Sequence, residues 1–455
     1  MNELIRRVIH EIPDYSRFYT IDELDDSSRA LASEFSDLVS LSTVGHSRDG
    51  HPILMIRIGS GPRRALFVGC PHPNEPFGAV TLEYLSRKLC EEPALLQELG
   101  HTFYIIKAID VDGYRLNEGW LPGPYTPDRY ILGYYRPAPD EQVEWTFPYH
   151  YKTLHFDKPL PETRAFMKAI DEARPHFLNS LHNFDRGGTF FYLTEALSVE
   201  LYQQLRKLAT DYGLPLLKGE AEARYIPQLD EAIFRMPKRS EVYDYFESRS
   251  PGEDPAKVME GGASSLDYAN TRYGTFCFIS EVTHFYDYRM SDTTLTERLL
   301  REALLDSTAQ NRERFSFLRG QYEQALPFMT VATRLETAFS SFLKMVEKHL
   351  SSESKLAETD PSFNRLATVA EQFDLLMRDW WFSLSLASML VRAIDVQPTS
   401  TELMRIHAKT KKWLNAGLED LVRYLNWDMR SIRELCAVQL GSALLIMEHL
   451  RGMEK

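Results

Sequence analysis

The sequence predicts an α/β domain over residues 1–295, followed by an all-α domain over residues 296–455. Before about residue 295, short β-rich runs alternate with segments of helical periodicity. After that point the strand patterns stop and helical periodicity continues alone. The chain has 455 residues, a length for which two domains are expected.

The first region contains the alternation that is typical of a mixed or mostly parallel sheet. Strands are predicted at 53–58, 65–68, 103–106, 177–181 and 275–279, with helices between them at 78–90, 161–173 and 198–212. Open sheets of this kind bind ligands beyond the carboxyl ends of their strands. Polar residues that follow these strands are therefore the candidates for a functional site.

The second region predicts a bundle of four or five long helices. Its segments run over 293–326, 332–351, 361–396 and 399–455, with breaks near Pro327, Pro361 and Pro398. Its apolar stripes are typical of a bundle core, and no motif there indicates a function. The bundle could cap the active-site cleft, or could join copies of the chain into a homo-oligomer.

Composition excludes several classes of partner. The net charge of −13 argues against nucleic acid or an anionic membrane surface as the main partner. The longest apolar stretch, near residues 380–391, is too short to span a bilayer. No secretory signal is visible at the first residues. The four cysteines lack paired spacing, which favours reduced thiols and a cytoplasmic protein.

The run that follows the predicted strand 65–68 carries an H-x-x-E motif, His72 and Glu75. Both side chains are zinc-ligand types, and one tight turn at a strand exit can bring both to one ion. By itself the motif also fits a histidine at a helix start beside an exposed glutamate. Three protein ligands and a water would make a catalytic zinc site.

Two further strand ends supply a third ligand and a base. His182 follows the apolar strand 177–181, so its imidazole is expected near the first pair. Glu281 follows the strand at 275–279, and a lone charge after an apolar strand is costly unless it is solvated, paired or functional. We therefore predict one zinc per chain on His72, Glu75 and His182, with Glu281 as the base that activates water.

The order of these motifs resembles that of the zinc carboxypeptidases of the carboxypeptidase A superfamily. Three more segments are similar: 44–53 to the family's G-x-S-x-x-G-x-P-I hairpin, 112–114 to its Asp-Gly-Tyr turn, and 261–268 to its Gly-Gly-Ser-x-Asp-Trp segment. The resemblance covers roughly residues 30–295. It implies a mixed, mostly parallel eight-stranded sheet with helices on both faces, and the same zinc ligands and base.

The chain departs from true carboxypeptidases where those bind the substrate's terminal carboxylate. The family uses an Asn-Arg pair, because an arginine fork binds a carboxylate bidentately. The nearest counterpart here is Glu144 and Trp145, and a glutamate prefers a cationic or hydroxyl-bearing group. Together with Asn183, these are the candidate substrate-binding residues. Pro73 and Asn74 inside the H-x-x-E motif are nearer the family's amidase and deacylase branches.

Besides Arg115, three arginines are the main candidates for stabilising the oxyanion of the reaction. Arg129 and Arg136 lie between the Asp-Gly-Tyr turn and Phe147, where the family's oxyanion arginine is found. Arg186 follows His182 by four residues. A positive partner for this charge is expected beside the zinc.

Three functions remain open at this point. The first is a zinc hydrolase that cleaves an amide bond in a small peptide or acyl-amino acid. The second is a carboxypeptidase in which Arg136 or Arg186 has become the carboxylate clamp. The third is an inactive peptidase fold that binds a partner through its helical domain.

Overall fold

The computed structural model describes residues 1–219, 222–223, 225–249 and 252–453. Its strands are β1 Val39–His46, β2 Pro52–Ile58, β3 Arg63–Gly69, β4 His101–Ile106, β5 Tyr149–Tyr151, β6 Leu154–Phe156, β7 Phe177–Arg186, β8 Phe190–Leu193, β9 Gln228–Asp230, β10 Ile233–Arg235, β11 Phe276–Asp287, β12 Leu295–Leu299, β13 Leu366–Thr368 and β14 Trp427–Met429.

The helices are α1 Glu3–His10, α2 Ile21–Glu34, α3 Phe77–Glu91, α4 Pro93–Leu99, α5 Val111–Asn117, α6 Pro127–Gly133, α7 Pro161–Ala173, α8 Val199–Asp211, α9 Arg239–Arg249, α10 Ser265–Tyr273, α11 Leu300–Ala325, α12 Arg334–Thr359, α13 Val369–Asp395, α14 Thr401–Tyr424 and α15 Ile432–Met453. Among the residues described, no helix is long and apolar enough to cross a membrane.

The main sheet has the strand order β1-β2-β4-β3-β7-β11-β8-β10-β9, and β14 pairs with the end of β11. Its centre is parallel, since β3 pairs in parallel with both β4 and β7. The pairs β1–β2, β2–β4, β11–β8 and β10–β9 are antiparallel. The predicted class, a mixed α/β sheet followed by a helical region, is confirmed.

The sheet differs from the predicted one in size and direction. It has ten strands where the family resemblance implied eight, and antiparallel pairs are more frequent than expected. The three-residue strands β9, β10 and β14 are too short for a period-2 pattern to be seen in the sequence. Strand signals also do not stop at residue 295, because β12 pairs with β13 in a separate small sheet.

The core of the sheet explains why β3 was visible in the sequence. Every residue from Ala65 to Gly69 is buried, so β3 is covered on both faces. The strand therefore appears as a continuous apolar run. Helix α3 packs against β3 and β7, which brings the chain that follows β3 to the edge where β7 passes.

The chain forms two compact units that do not follow the predicted boundary at residue 295. The first comprises Met1–Pro122, Asp140–His284 and Arg430–Lys455, and the second comprises Gly123–Pro139 and Phe285–Met429. Two helices lie in a different unit from the one that a division at residue 295 predicts. Helix α15 belongs to the first unit, where it packs on α1, α3 and α8, and helix α6 belongs to the second.

Polar contacts fix α6 to the second unit. Ser388 Oγ on α13 donates to the carbonyl oxygen of Leu132 at 2.6 Å. Arg392 Nη1, one turn further along α13, donates to the carbonyl oxygens of Gly133 and Tyr134, both at 2.9 Å. These bonds satisfy carbonyl groups at the end of α6, which the helix itself cannot satisfy.

All four cysteines are buried and free. The cytoplasmic location inferred from them stays a prediction.

Candidate metal centre

A tight turn after β3 presents the H-x-x-E motif. Cys70 adopts a left-handed backbone with φ of 53°, which only a few per cent of non-glycine residues do. The amide of Glu75 then donates to the carbonyl oxygen of His72 at 3.1 Å. Helix α3 begins two residues later at Phe77. The motif therefore lies between the end of a strand and the start of a helix, as the sequence predicts.

Two glycines allow close packing on either side of this turn. A Cβ at Gly69 would lie 2.4 Å from the carbonyl oxygen of Lys107, which follows β4. A Cβ at Gly78 would lie 2.9 Å from Cβ of Leu181 on β7, so a larger residue there would push α3 away from the sheet. Because Leu181 precedes His182, this close packing sets the distance between His182 and the turn.

His72, Glu75 and His182 converge at one point in the first unit. His72 Nδ1 lies 3.0 Å from Glu75 Oε1, and His182 Nδ1 lies 3.1 Å from Glu75 Oε2 and 3.1 Å from His72 Nδ1. All three side chains are buried, and their ligand atoms lie within 4.8 Å of one another. Two imidazole nitrogens and a carboxylate form a donor set that suits zinc.

The charges of Glu75 and His182 act on one another. Burial opposes ionisation of Glu75, but the charge of His72 and the hydrogen bond from His182 hold the pKa of Glu75 well below its ordinary value. Burial opposes protonation of His182, yet the bond and charge of Glu75 raise the pKa of His182 to about 9. A buried carboxylate is costly without compensating charge, and a cation at this point would supply it.

Glu281 lies next to the cluster. Its Oε1 is 3.9 Å from His182 Nδ1, and its side chain is largely buried. The structure corrects one detail of the prediction, because neither His182 nor Glu281 ends its strand. β7 continues to Arg186 and β11 continues to Asp287, so both residues lie within strands.

Residues around the cluster hold it in place. The amide of Asn183 donates to Glu75 Oε2 at 3.4 Å, and its side-chain Nδ2 lies 3.3 Å from His284 Nδ1. The ring of His284 stacks on Phe77 with centroids 5.3 Å apart, and burial lowers the pKa of His284 to about 3. Asn183 is 2% exposed, and its described bonds support the cluster. Its predicted role in substrate binding stays a prediction.

Glu144 is buried, whereas a side chain that binds the substrate's carboxylate would lie at the surface. The residue is 1% exposed, and its Oε1 accepts hydrogen bonds from Ser265 N at 3.0 Å and Ser265 Oγ at 2.6 Å. Its Oε2 accepts from Ser180 Oγ at 3.3 Å. The predicted preference for a hydroxyl-bearing group is met inside the protein, while contact with a substrate stays a prediction. The neighbouring Trp145 is half-buried, and its carbonyl accepts from the amide of Gly262.

The three candidate arginines fall in different units. Arg186 is half-buried at the end of β7 in the first unit. Arg129 and Arg136 belong to the second unit, where Arg129 is exposed and donates to the carbonyl oxygen of Gly123. The oxyanion role of all three stays a prediction.

Comparison with known proteins agrees with the geometry of the turn. Residues 24–130 match the family model described as zinc carboxypeptidase. The matched segment contains His72 and Glu75, whereas His182 and Glu281 join the cluster through the sheet. The resemblance to zinc carboxypeptidases that the motifs predict is confirmed for this segment.

Similar proteins and structures bear carboxypeptidase names. The chain is 24% identical over 112 residues to human carboxypeptidase A6, covering 23% of this chain and 26% of that protein. It is 24% identical over 106 residues to carboxypeptidase B of Astacus astacus, covering 22% of this chain and 35% of that protein. The chain thus spans about a quarter to a third of the length of these relatives.

Solved structures that the chain matches in part include the carboxypeptidase A of Helicoverpa armigera. That structure has a TM-score of 0.38 and 17% identity, and the match covers 62% of this chain and 71% of the other. A metallo-carboxypeptidase from Burkholderia cenocepacia has a TM-score of 0.35 and 15% identity, with 58% and 60% covered.

The structure shows how the segments that resemble zinc carboxypeptidase motifs contact one another or neighbouring parts of the chain. Asp112, of the Asp-Gly-Tyr turn, accepts from Ser47 Oγ at 2.6 Å and from the amide of Asp49 at 2.9 Å, and it also contacts His51 at 2.7 Å. The structure places the Asp-Gly-Tyr segment in helix α5, and its one buried carboxylate ties this helix to the hairpin between β1 and β2. The Gly-Gly segment pairs through its backbone with the chain from Trp145 to Phe147.

Sequence reasoning missed two residues that contact the cluster. Ser180 Oγ lies 3.2 Å from His182 Nε2, and Gln439 Nε2 on α15 donates to the carbonyl oxygen of His182 at 2.6 Å. Ser180 could have been found, because residues two apart on a strand share a face. Gln439 lies between the apolar residues Val438 and Leu440, a pattern that indicates a buried polar contact but does not identify its partner.

Proposed function

We propose that this protein is a zinc-dependent hydrolase that cleaves an amide bond in a small peptide or acyl-amino acid. The observation that carries the proposal is the convergence of two imidazole nitrogens and a carboxylate, with a second carboxylate 3.9 Å from one of them. Its match to zinc carboxypeptidases supports metal-dependent peptide hydrolysis as the reaction class.

His72, Glu75 and His182 would hold the zinc, which when bound polarises a substrate carbonyl and acidifies a water. Glu281 would accept the proton of the attacking water as the new carbon–oxygen bond forms. The same carboxyl group would then return the proton to the leaving nitrogen as the carbon–nitrogen bond breaks. Glu281 is buried, and its Oε1 lies 3.9 Å from His182 Nδ1, which puts the carboxyl group beside the point where the three ligands converge.

The surroundings of Glu144 support a substrate without a clamped terminal carboxylate. A carboxypeptidase needs a cationic fork for that group, and Glu144 offers a buried anion whose described partners are serines. The position that corresponds to the family's cationic clamp is thus occupied by a buried anion, which cannot bind a carboxylate of the substrate. The proposal therefore favours amides whose recognition does not depend on a free C-terminus.

One observation favours the second candidate, a carboxypeptidase with a relocated clamp. Arg186 lies four residues after His182 on β7, which puts it on the same face roughly 13 Å along the strand. An arginine side chain can span about half of that distance back toward the cluster, and its Nε has no hydrogen-bond partner among the described residues. Arg186 could then bind a terminal carboxylate.

Zinc content and a substrate panel test the proposal. Elemental analysis of wild type should find about one zinc per chain, lost in His72→Ala. A panel of N-acyl-amino acids and of dipeptides with free or amidated C-termini should show turnover that Glu281→Gln strongly lowers. No zinc after reconstitution, or zinc without hydrolysis across the panel, would overturn the hydrolase and leave a binding protein.

The same panel separates the two hydrolases. If amidated and free dipeptides are cleaved at similar rates, the clamp is absent. If only free C-termini are cleaved, and Arg186→Gln raises KM for them while the exposed Arg164→Gln does not, the carboxypeptidase with Arg186 as its clamp is the correct function.

A further inference from the structure

A buried chain of polar groups leads away from the ligand His182. Its ring has two nitrogens, and Nδ1 faces His72 and Glu75 while Nε2 lies 3.2 Å from Ser180 Oγ. Ser180 Oγ in turn lies 3.3 Å from Glu144 Oε2. Ser180 is fully buried and Glu144 is 1% exposed, so water does not compete for these bonds.

The directions of these hydrogen bonds follow from the number of protons available. Burial raises the pKa of Glu144, but three donors, namely Ser265 N, Ser265 Oγ and Ser180 Oγ, oppose that rise and favour its ionised, acceptor-only form. Ser180 has a single hydroxyl proton, and it donates that proton to Glu144. Its oxygen can then only accept from His182, so Nε2 of His182 carries a proton.

A proton on Nε2 leaves the lone pair of the neutral ring on Nδ1. That nitrogen is the one that faces His72 and Glu75, where a metal would be held. The tautomer and the ring orientation that metal binding requires are therefore set by groups outside the ligand set.

We propose that Glu144 is a positioning residue which, through Ser180, holds His182 in the metal-binding tautomer and orientation. This inference rests on the proposed function, because it assumes that His182 binds a metal. It assigns to Glu144 a role in zinc affinity in place of contact with the substrate. Partners of this kind, which orient a ligand without touching the metal, typically change metal affinity about 10- to 100-fold.

Zinc affinity of the metal-free protein tests this role, measured by competition with a chromophoric chelator. Ser180→Ala removes the link between His182 and Glu144, and we expect it to weaken zinc binding by about 10- to 100-fold. Glu144→Gln keeps the size of the side chain and removes its charge, so it should weaken binding in the same direction. The Co²⁺-substituted variants should also show altered visible absorption, because the orientation of a ligand has changed.

Ser265→Ala is the matched control. It removes one hydroxyl donor to Glu144 Oε1 and leaves the backbone donor at 3.0 Å and the link through Ser180 in place. Its zinc affinity should stay within about threefold of wild type. Melting of the metal-free proteins reports any general loss of stability in each variant.

Two results would overturn the positioning role. The first is that both Ser180→Ala and Glu144→Gln bind zinc as tightly as wild type. The second is that Ser265→Ala weakens zinc binding as much as Ser180→Ala and Glu144→Gln do. If Ser180→Ala does not fold, Glu144→Gln decides alone. Wild type and His72→Ala separate the two proposals, because loss of zinc binding in wild type itself would remove the proposed function as well.

Discussion

The two units use buried polar side chains in different ways. In the first unit, His72, Glu75, His182 and Glu281 turn their polar atoms toward one point, at distances of 3.0–3.9 Å. In the second unit, buried polar groups bond one another in a line between helices. Asn311 on α11 donates to Asp379 on α13 at 2.7 Å, and Ser307 donates to the carbonyl oxygen of Leu375 at 2.5 Å.

This comparison distinguishes buried polar groups that stabilise the fold from buried polar groups that are arranged to bind a ligand. The line in the second unit pairs donors with acceptors and leaves no common point for an ion. In the cluster, two histidine nitrogens lie 3.1 Å apart, and each could accept a metal. Convergence of metal-ligand types, more than burial, therefore distinguishes the candidate site.

The largest effect is expected on turnover, when the proposed base Glu281 is replaced. Glu281→Gln keeps the size of the side chain but cannot accept the proton of the water, so we expect turnover to fall by about 10²- to 10⁴-fold. Zinc content should stay at about one per chain, because Glu281 is not among the three grouped ligands. Steady-state kinetics and elemental analysis on the same preparation measure both.

Loss of zinc together with activity in Glu281→Gln would contradict this division, since Glu281 would then belong to the ligand set.

The pH dependence of stability tests a buried polar group of the first unit that lies outside the cluster. Burial lowers the pKa of His101 to about 4, against an ordinary value near 6.5. Between these values the unfolded chain binds a proton that the folded protein does not, so stability falls as pH falls from about 6.5 to 4. The contribution of His101 to this fall is on the order of 3 kcal/mol.

Urea unfolding of wild type and His101→Asn across this pH range measures the contribution. The variant should lose less stability than wild type toward pH 4, whereas His10→Asn, at an exposed position, should follow wild type. Parallel curves for wild type and His101→Asn would show that His101 titrates alike in both states.

The line of polar groups in the second unit should contribute stability alone. Asn311→Leu leaves Asp379 without its hydrogen bond from Nδ2, and removing a bond to a charged group costs about 2 kcal/mol. Zinc affinity should not change. Chemical unfolding and chelator competition measure the two quantities, with exposed Asn364→Leu as a control expected within about 0.5 kcal/mol of wild type.

A loss of zinc affinity in Asn311→Leu would show that the two kinds of polar group are not independent.

The smallest effect is expected at Gln439, which joins α15 to the cluster strand. Gln439→Leu removes the bond to the carbonyl oxygen of His182 and the bond from Thr81 Oγ1 at 2.8 Å, at a cost of about 1 kcal/mol. Ser442→Ala is the control on the same helix, because the described bonds of Ser442 go to carbonyl oxygens of α15 itself. Unfolding free energies compare them, and equal losses would show that Gln439 acts within its helix only.

The sequence was sufficient for features that depend on neighbouring residues. His72 and Glu75 are three apart in one turn, and the apolar strands that carry His182 and Glu281 are visible as continuous runs. Helix α7 begins and ends where its periodicity predicts. In each case the signal and the structure lie within one segment of the chain.

Features that depend on packing between distant segments could not be predicted. The burial of Glu144 against Ser180 and Ser265 requires the registers of three separate segments. The membership of α15 in the first unit requires knowing which helix covers α3, and the helical periodicity of α15 is like that of its neighbours. Periodicity shows that a face is buried without showing what covers it.

The position of α15 has a consequence for biosynthesis. The ribosome makes the chain from the N-terminus, so β3, β7 and β11 are complete long before Gln439 leaves the exit tunnel. The whole segment Phe285–Met429 is translated in between. The strand that carries His182 thus obtains this hydrogen bond only after α15 has been translated, and a nascent chain interrupted in the helical region would lack it.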